Sequence, residues 1–347
     1  MEKRSKDLSL TFIQIVCAIA VVTLHTNGCF WKFSATERYW RTANVIECFF
    51  YFAVPIFFMI TGITLLDYTD RYSTKEYFKK RISKVVLPYI AWSIIGLFFR
   101  LGTKNLSVNN ISYKWILDSF LSTEGIIDLY WFFRPLFCVY LTIPLFALIS
   151  KEKKKKAADY ILIVGFVINA LIPFLKNTLW NDFSWPYSIS AISGYLFWIW
   201  GGYRIYYYPP TRKGKVIIYL LSIIGLGMHI VGTYTLSMRT GSIQTLYKGY
   251  NNVPCILYSF GVFVLLRDIG IWLQKNEKIK KIILFLGKFT FPCYLIHWFL
   301  LRLNEHIIHI DTKNIVYRLL APYVIYALII CITMCIRKIP IIKKILP

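Results

Sequence analysis

Leu8-Ser9-Leu10-Thr11-Phe12-Ile13-Gln14-Ile15-Val16-Cys17-Ala18-Ile19-Ala20-Val21-Val22-Thr23-Leu24-His25-Thr26-Asn27-Gly28 runs without an aspartate, glutamate, lysine or arginine. A helix needs about 20 mostly apolar residues to cross the hydrocarbon core of a bilayer, so this stretch reads as a transmembrane helix. Its apolar region is too long for a signal peptide, and no small-x-small cleavage site follows it, so it is expected to stay in the protein. The same ruler marks nine further segments, near 44–67, 84–101, 130–149, 158–175, 188–206, 215–236, 253–272, 283–303 and 315–336. Across all 347 residues, 57% of side chains are hydrophobic, only 17% are charged, and the mean hydropathy is +0.53. Such values exceed what a soluble surface tolerates. The expected fold is all-α: a polytopic transmembrane helical bundle of about ten helices, forming one integral-membrane domain over 1–347.

Lysine and arginine number 41 against 17 acidic residues, a formal charge of +24. Nucleic-acid binding requires those cations on one solvated face; here they sit in short clusters between apolar runs, and no nucleic-acid partner is expected. Counted over alternate connections, one set of loops holds 28 basic residues and the other 12, with Arg134 inside a span. The cation-rich side is cytoplasmic by the positive-inside rule, which puts both termini there and makes 102–129 the longest outer loop. The eight cysteines lie mostly in apolar runs, with no CxxC pair and no zinc-ligand spacing. No metal is expected. Cys29 and Cys48 both fall near the outer surface, where a disulfide is open but not required.

Charged or titratable side chains at membrane depth are costly and are the first functional candidates. His25 lies about 25 Å along its helix from Leu8, in the outer half. Glu47 sits near the outer start of the second span, Asp128 and Arg134 near the outer start of the fourth, and His229 and His297 about 14 residues into the seventh and ninth. All are expected at one depth. Neutral imidazole can take the proton of a hydroxyl as it attacks an acyl carbonyl, a carboxylate such as Glu47 can orient that imidazole, and Arg134 or a tyrosine can stabilise the oxyanion. A histidine base in a direct transfer and a transient acyl-histidine both stay open. The tryptophans, Trp31, Trp131, Trp185, Trp198 and Trp298 among them, match an interfacial belt and also suit stacking on sugars.

Motifs along nearly the whole chain resemble the acyltransferase-3 family of integral-membrane O-acyltransferases. Phe12-Ile13-Gln14-Ile15-Val16 through Val21-Val22-Thr23-Leu24-His25-Thr26 is similar to the family's opening helix and its essential histidine. Val54-Pro55-Ile56-Phe57-Phe58-Met59-Ile60-Thr61-Gly62 resembles its "VPxFFMxSG" block, and Phe78-Lys79-Lys80-Arg81-Ile82-Ser83-Lys84 its basic loop. Tyr130-Trp131-Phe132-Phe133 with Tyr140-Leu141 and Pro144, Gly201-Gly202-Tyr203, and Tyr294-Leu295-Ile296-His297 follow in the family's order. The sequence departs from the family at Gln14, where a basic residue usually stands ahead of the histidine; Lys6, Arg81 or Lys84 is the available replacement cation.

The resemblance implies transfer of an acyl group, commonly acetyl, from cytoplasmic acyl-CoA to a hydroxyl of a cell-surface polysaccharide or lipid-linked glycan. Acetyl-CoA is then a cosubstrate, with no tightly bound cofactor. The resemblance makes His25 the essential histidine, and in the mechanism expected from it together with the residues above, His25 is base or acyl relay and Glu47 orients it. Arg134, His297, Asp128 and Trp131 contact the acceptor side, and Lys80, Arg81 and Lys84 receive the nucleotide phosphates. The helices then have to enclose a polar passage for the pantetheine arm. The Lys151 to Lys156 run reads as an anchor to anionic membrane lipids. The expected location is a cell membrane, with a bacterial plasma membrane fitting the lysine-rich composition. A multi-pass exporter of a glycan or small anion is the competing class, without the inverted repeats and paired broken helices frequent in transporters. A noncatalytic descendant of such an enzyme is the third.

Overall fold

The computed structural model describes residues 7–179 and 184–346, and among these the regular structure is helical throughout, with no strand. In chain order the helices are α1 (Leu8–Thr26), α2 (Arg38–Phe50), α3 (Ala53–Leu65), α4 (Thr74–Arg81), α5 (Leu87–Gly102), α6 (Tyr113–Ser122), α7 (Phe133–Ala147), α8 (Lys151–Phe166), α9 (Ile172–Leu179), α10 (Gly194–Tyr207), α11 (Arg212–Thr240), α12 (Val253–Leu273), α13 (Glu277–Leu286), α14 (Thr290–Leu303), α15 (Ile315–Ile336) and α16 (Pro340–Ile345). Several join end to end: α2 with α3, α4 with α5 through a π-helical turn at Ile82–Val86, and α8 with α9 through another at Val167–Leu171. Nine of the resulting rods among the described residues are long and apolar enough to cross a membrane. The protein is a multi-pass membrane protein.

Several boundaries differ from the sequence expectation. The segment expected at 188–206 is the 14-residue α10, about 21 Å long at 1.5 Å per residue; ahead of it the chain runs irregularly through a 3-10 turn at Ser190–Ile192. The second rod begins at Arg38, before the apolar run, because α2 buries Trp40, Ala43, Asn44 and Glu47 on one face while Arg38 and Arg41 stay exposed in its first turns. Glu47 therefore sits well inside that rod rather than at its start. The long loop at 102–129 contains α6, whose first turn is capped by the Ser112 hydroxyl accepting from Trp115 N–H at 3.1 Å and which ends at Thr123 in the left-handed region. The same capping logic starts α1, where Ser9 donates its N–H and hydroxyl to Asp7 Oδ1 at 2.8 and 2.7 Å.

The helices form two compact units. The first comprises the chain up to Leu66, Ile149–Thr290 and Ile310–Val324; in it α1 packs on α3, α12 and α13, α11 on α2 and α12, and α10 between α3 and α8. One close approach is between α3 and α10. A Cβ at Gly62 would lie 2.0 Å from the Ile199 carbonyl oxygen, and one at Gly202 would lie 2.3 Å from the Met59 carbonyl oxygen. The glycine of the "VPxFFMxSG" block and that of Gly201-Gly202-Tyr203 thus seat one helix backbone on the other, the small-residue packing that membrane helices use. Gly62→Val or Gly202→Val should cost more than the roughly 1–3 kcal/mol usual for overpacking, because backbone has to move. Thermal unfolding in detergent measures it, with Gly227→Val, a site with nothing within 4 Å, as the nearly neutral comparison.

The second unit comprises Asp67–Leu148, Phe291–His309 and Ile325 onward. Tyrosine hydroxyls tie it together by donating to backbone carbonyls: Tyr77 to Tyr140 at 3.0 Å, Tyr89 to Phe120 at 2.7 Å, Tyr130 to Leu295 at 2.8 Å and Tyr294 to Leu129 at 2.9 Å. The last two are reciprocal, with the Tyr130 and Tyr294 rings stacked at 5.9 Å. The residues around Tyr130 and the "YLIH" segment therefore lock each other in place.

Candidate active site

The first unit holds a buried polar network at the end of α1. His25 lies in the last turn of α1 and is half-buried. On one side of it in the chain, Leu24 packs with Tyr51, Cys255, Phe50 and Tyr250. On the other side, Asn27 donates to the Ala43 carbonyl at 2.9 Å and to Glu47 Oε2 at 3.4 Å. Its own Oδ1 accepts from Arg318 at 3.2 Å, and Arg318 also donates to Thr42 Oγ1 at 2.8 Å and the Lys313 carbonyl at 3.1 Å. Glu47 Oε1 pairs with Lys248 Nζ at 3.0 Å, with side chains only 5% and 2% exposed. The ammonium also lies 3.9 Å from the centroid of the Tyr51 ring, 4.7 Å from Trp31 and 5.4 Å from Phe30, the geometry of cation–π contact.

Each partner compensates a charge that would otherwise be stranded: the carboxylate has a cation and an amide, and the ammonium has a carboxylate and three rings. The Tyr51 ring stacks on Tyr250 at 4.4 Å and meets the His229 ring edge-on at 5.2 Å. Burial holds the Tyr250 phenol well above its ordinary pKa, so it stays a neutral O–H. Cys29, packed with Phe30, Trp40 and Ala43, has its thiol pushed up by burial, which makes it a poor thiolate nucleophile. It forms no disulfide with Cys48; all eight cysteines are free thiols.

The second unit carries the other expected site residues. Asp128 accepts from Trp298 Nε1 at 2.6 Å and from Arg302 at 3.0 Å, and Arg302 also binds Glu305 at 2.5 Å. His297, fully buried on α14, donates Nδ1–H to the Cys293 carbonyl at 2.9 Å. Trp131 is half-buried, edge-on to Phe132. Arg134, at the start of α7, pairs with Glu124 at 3.2 Å, both about half exposed. Of the basic loop, Lys80 pairs with Glu76 at 2.7 Å and lies 3.9 Å from the Tyr72 ring centroid. The Arg81 guanidinium is flanked by Tyr77 and Tyr140 at 5.9 and 5.5 Å. Lys84 is exposed in the π-helical turn.

The structure thus groups His25's helix end with Glu47 and His229, and separately groups Asp128 with the helix of His297 through Trp298 and Arg302. Arg134 joins neither group through its ion pair. Gln14 is half-buried on α1; Lys6 lies outside the described residues. Two residues of the first network carried no signal as site members: Lys248 and Arg318 count only among the outer cations in the sequence. The one local hint is at Tyr247-Lys248-Gly249-Tyr250, where a lone outer lysine stands between tyrosines. Lys154, inside the run read as a lipid anchor, is also buried, donating to the Leu66 carbonyl at 2.8 Å beyond the end of α3.

A family model described as an acyltransferase domain, that of the acyltransferase-3 family, matches residues 7–337. The chain matches no curated protein and no solved structure.

Proposed function

Because the chain belongs to the acyltransferase-3 family and is a multi-pass membrane acyltransferase, we propose that it moves an acyl group, acetyl in the first instance, from acyl-CoA to a hydroxyl of an envelope polysaccharide or glycolipid. The observation that carries this reading is the family match over 7–337, in which the motif histidine His25 falls at a helix end held by Asn27 and Glu47. In this reading the His25 imidazole accepts the proton of the acceptor hydroxyl as its oxygen attacks the thioester carbonyl. The C–O bond forms, the C–S bond breaks, and the proton passes from the imidazolium to the departing thiolate, giving an ester and free CoA. An acyl-histidine relay delivers the same products in two steps. Glu47, fixed by Lys248 and Asn27, holds the turn that carries His25. We place the membrane as the plasma membrane of a bacterium, with the Lys80 loop on the cytoplasmic side, following the cation count of the loops.

On the second unit, Arg81 and Lys84 supply cations suited to the CoA phosphates, and Arg81 is presented between two tyrosine rings. Arg81→Gln should raise KM for acetyl-CoA about tenfold with kcat little changed, since a charge-assisted hydrogen bond contributes roughly 1.5–3 kcal/mol; steady-state kinetics against donor concentration checks it. The function itself is tested by free thiol. Acetyl-CoA with purified protein in vesicles should release CoA thiol when envelope glycan is added. Movement of glycan across the vesicle membrane with no thiol released is the exporter's result and contradicts the proposal.

A further inference from the structure

The 29-residue α11 buries a single stripe, Ser222, Gly225, His229, Thr233 and Ser237, one residue per turn. Its apolar side chains, Val216, Ile217, Leu220, Ile223, Ile224 and Val231, are exposed, as expected of a helix whose outer face meets lipid. His229 is the one large polar group on the inward stripe. It is 0% exposed, yet neither ring nitrogen has a hydrogen-bond partner among the described residues.

Its surroundings fix where it points. Asn44 of α2 donates to the carbonyl of the next residue, Ile230, at 3.0 Å, which ties this turn of α11 to the face of α2 that carries Glu47. The ring itself meets Tyr51 edge-on, and Tyr51 also bears the Lys248 ammonium and packs on Leu24, beside His25 in the chain. Leaving a buried donor and acceptor unpaired is costly, with no structural return where a leucine or phenylalanine would pack. A buried polar group without a partner calls for an explanation such as a functional role or a bound molecule, and this one stands beside the helix end that carries His25.

We propose that His229 is a substrate-binding residue, whose imidazole holds an uncharged group offering both a hydrogen-bond acceptor and a donor. Neutral imidazole presents one N–H and one lone pair, which such a group matches. Lys248, the cation seated on the same Tyr51 ring, is already paired with Glu47 at 3.0 Å, which favours an uncharged group over an ion. A sugar hydroxyl of the acceptor and an amide of the pantetheine arm share this chemistry. The inference rests on the acyl-transfer reading above.

The test compares His229→Phe and His229→Gln with the unaltered protein, using acetyl-CoA and an envelope-glycan extract. His229→Phe should unfold no earlier than the parent, because an unpaired buried group is removed, yet lose at least tenfold in kcat/KM. His229→Gln, which keeps a donor and an acceptor, should recover most of that loss. A rise in KM confined to the glycan assigns the acceptor hydroxyl; one confined to acetyl-CoA assigns the amide. Unchanged kinetics in His229→Phe overturn the proposal. So does unfolding of His229→Phe and of His229→Leu alike, which would make the imidazole a structural group. Activity that survives His25→Ala strikes the underlying reading instead, whatever His229 variants do.

Discussion

His25→Ala should lower acyl transfer by about 10²–10⁴-fold, the range that a positioned general base contributes, while leaving the protein folded and inserted in the membrane. The side chain is half-buried in the last turn of α1, and alanine is the best helix former, so the helix survives the change. The contacts that hold this helix end belong to its neighbours. Leu24 packs on Tyr51, and Asn27 binds Ala43, Glu47 and Arg318. The thermal midpoint in detergent should therefore stay near that of the parent protein while turnover of acetyl-CoA with glycan is lost. Full turnover in His25→Ala would remove the imidazole from the chemistry.

Breaking the Glu47–Lys248 pair should have the largest effect on stability. With both side chains at most 5% exposed, Glu47→Ala or Lys248→Ala leaves the opposite charge buried and alone, at about 3–5 kcal/mol. Glu47→Ala also leaves Asn27 without one of its acceptors, and Lys248→Ala removes the cation seated against Tyr51, Trp31 and Phe30. The double variant Glu47→Gln with Lys248→Met should recover much of the loss, since apolar or neutral replacement of a whole buried pair is often close to neutral. Unfolding by heat or denaturant measures all three. Single variants as stable as the parent would mean that the pair is solvated in the membrane-embedded protein.

Much of this architecture was legible because membrane insertion writes itself into composition. A run such as 8–28 has one stable solution in hydrocarbon, a helix that satisfies its own backbone, and the nine apolar rods among the described residues, this one included, follow the same rule. Gly62 and Gly202 stand in recognisable motifs, although only the three-dimensional packing reveals that these two glycines cradle each other's helix. The buried cations were not legible. Lys248 and Arg318 look like ordinary outer-loop charges because what turns them inward, Glu47, Asn27 and the Tyr51 ring, lies far away in sequence and at no fixed spacing. The same applies to Lys154, whose partner is a carbonyl 88 residues earlier. The start of α2 was missed for a different reason: its buried face includes asparagine and glutamate, so apolar content alone cannot mark it as inward.

In the proposed reaction an acyl group leaves CoA and arrives on a glycan hydroxyl. The most direct measurement supplies acetyl-CoA labelled in its acetyl group to vesicles carrying the purified protein, adds envelope glycan, and follows the label by mass spectrometry. The account predicts label on the glycan as a base-labile ester, in amounts equal to the CoA thiol released. Glycan that is transported yet unlabelled, with acetyl-CoA intact, would contradict it.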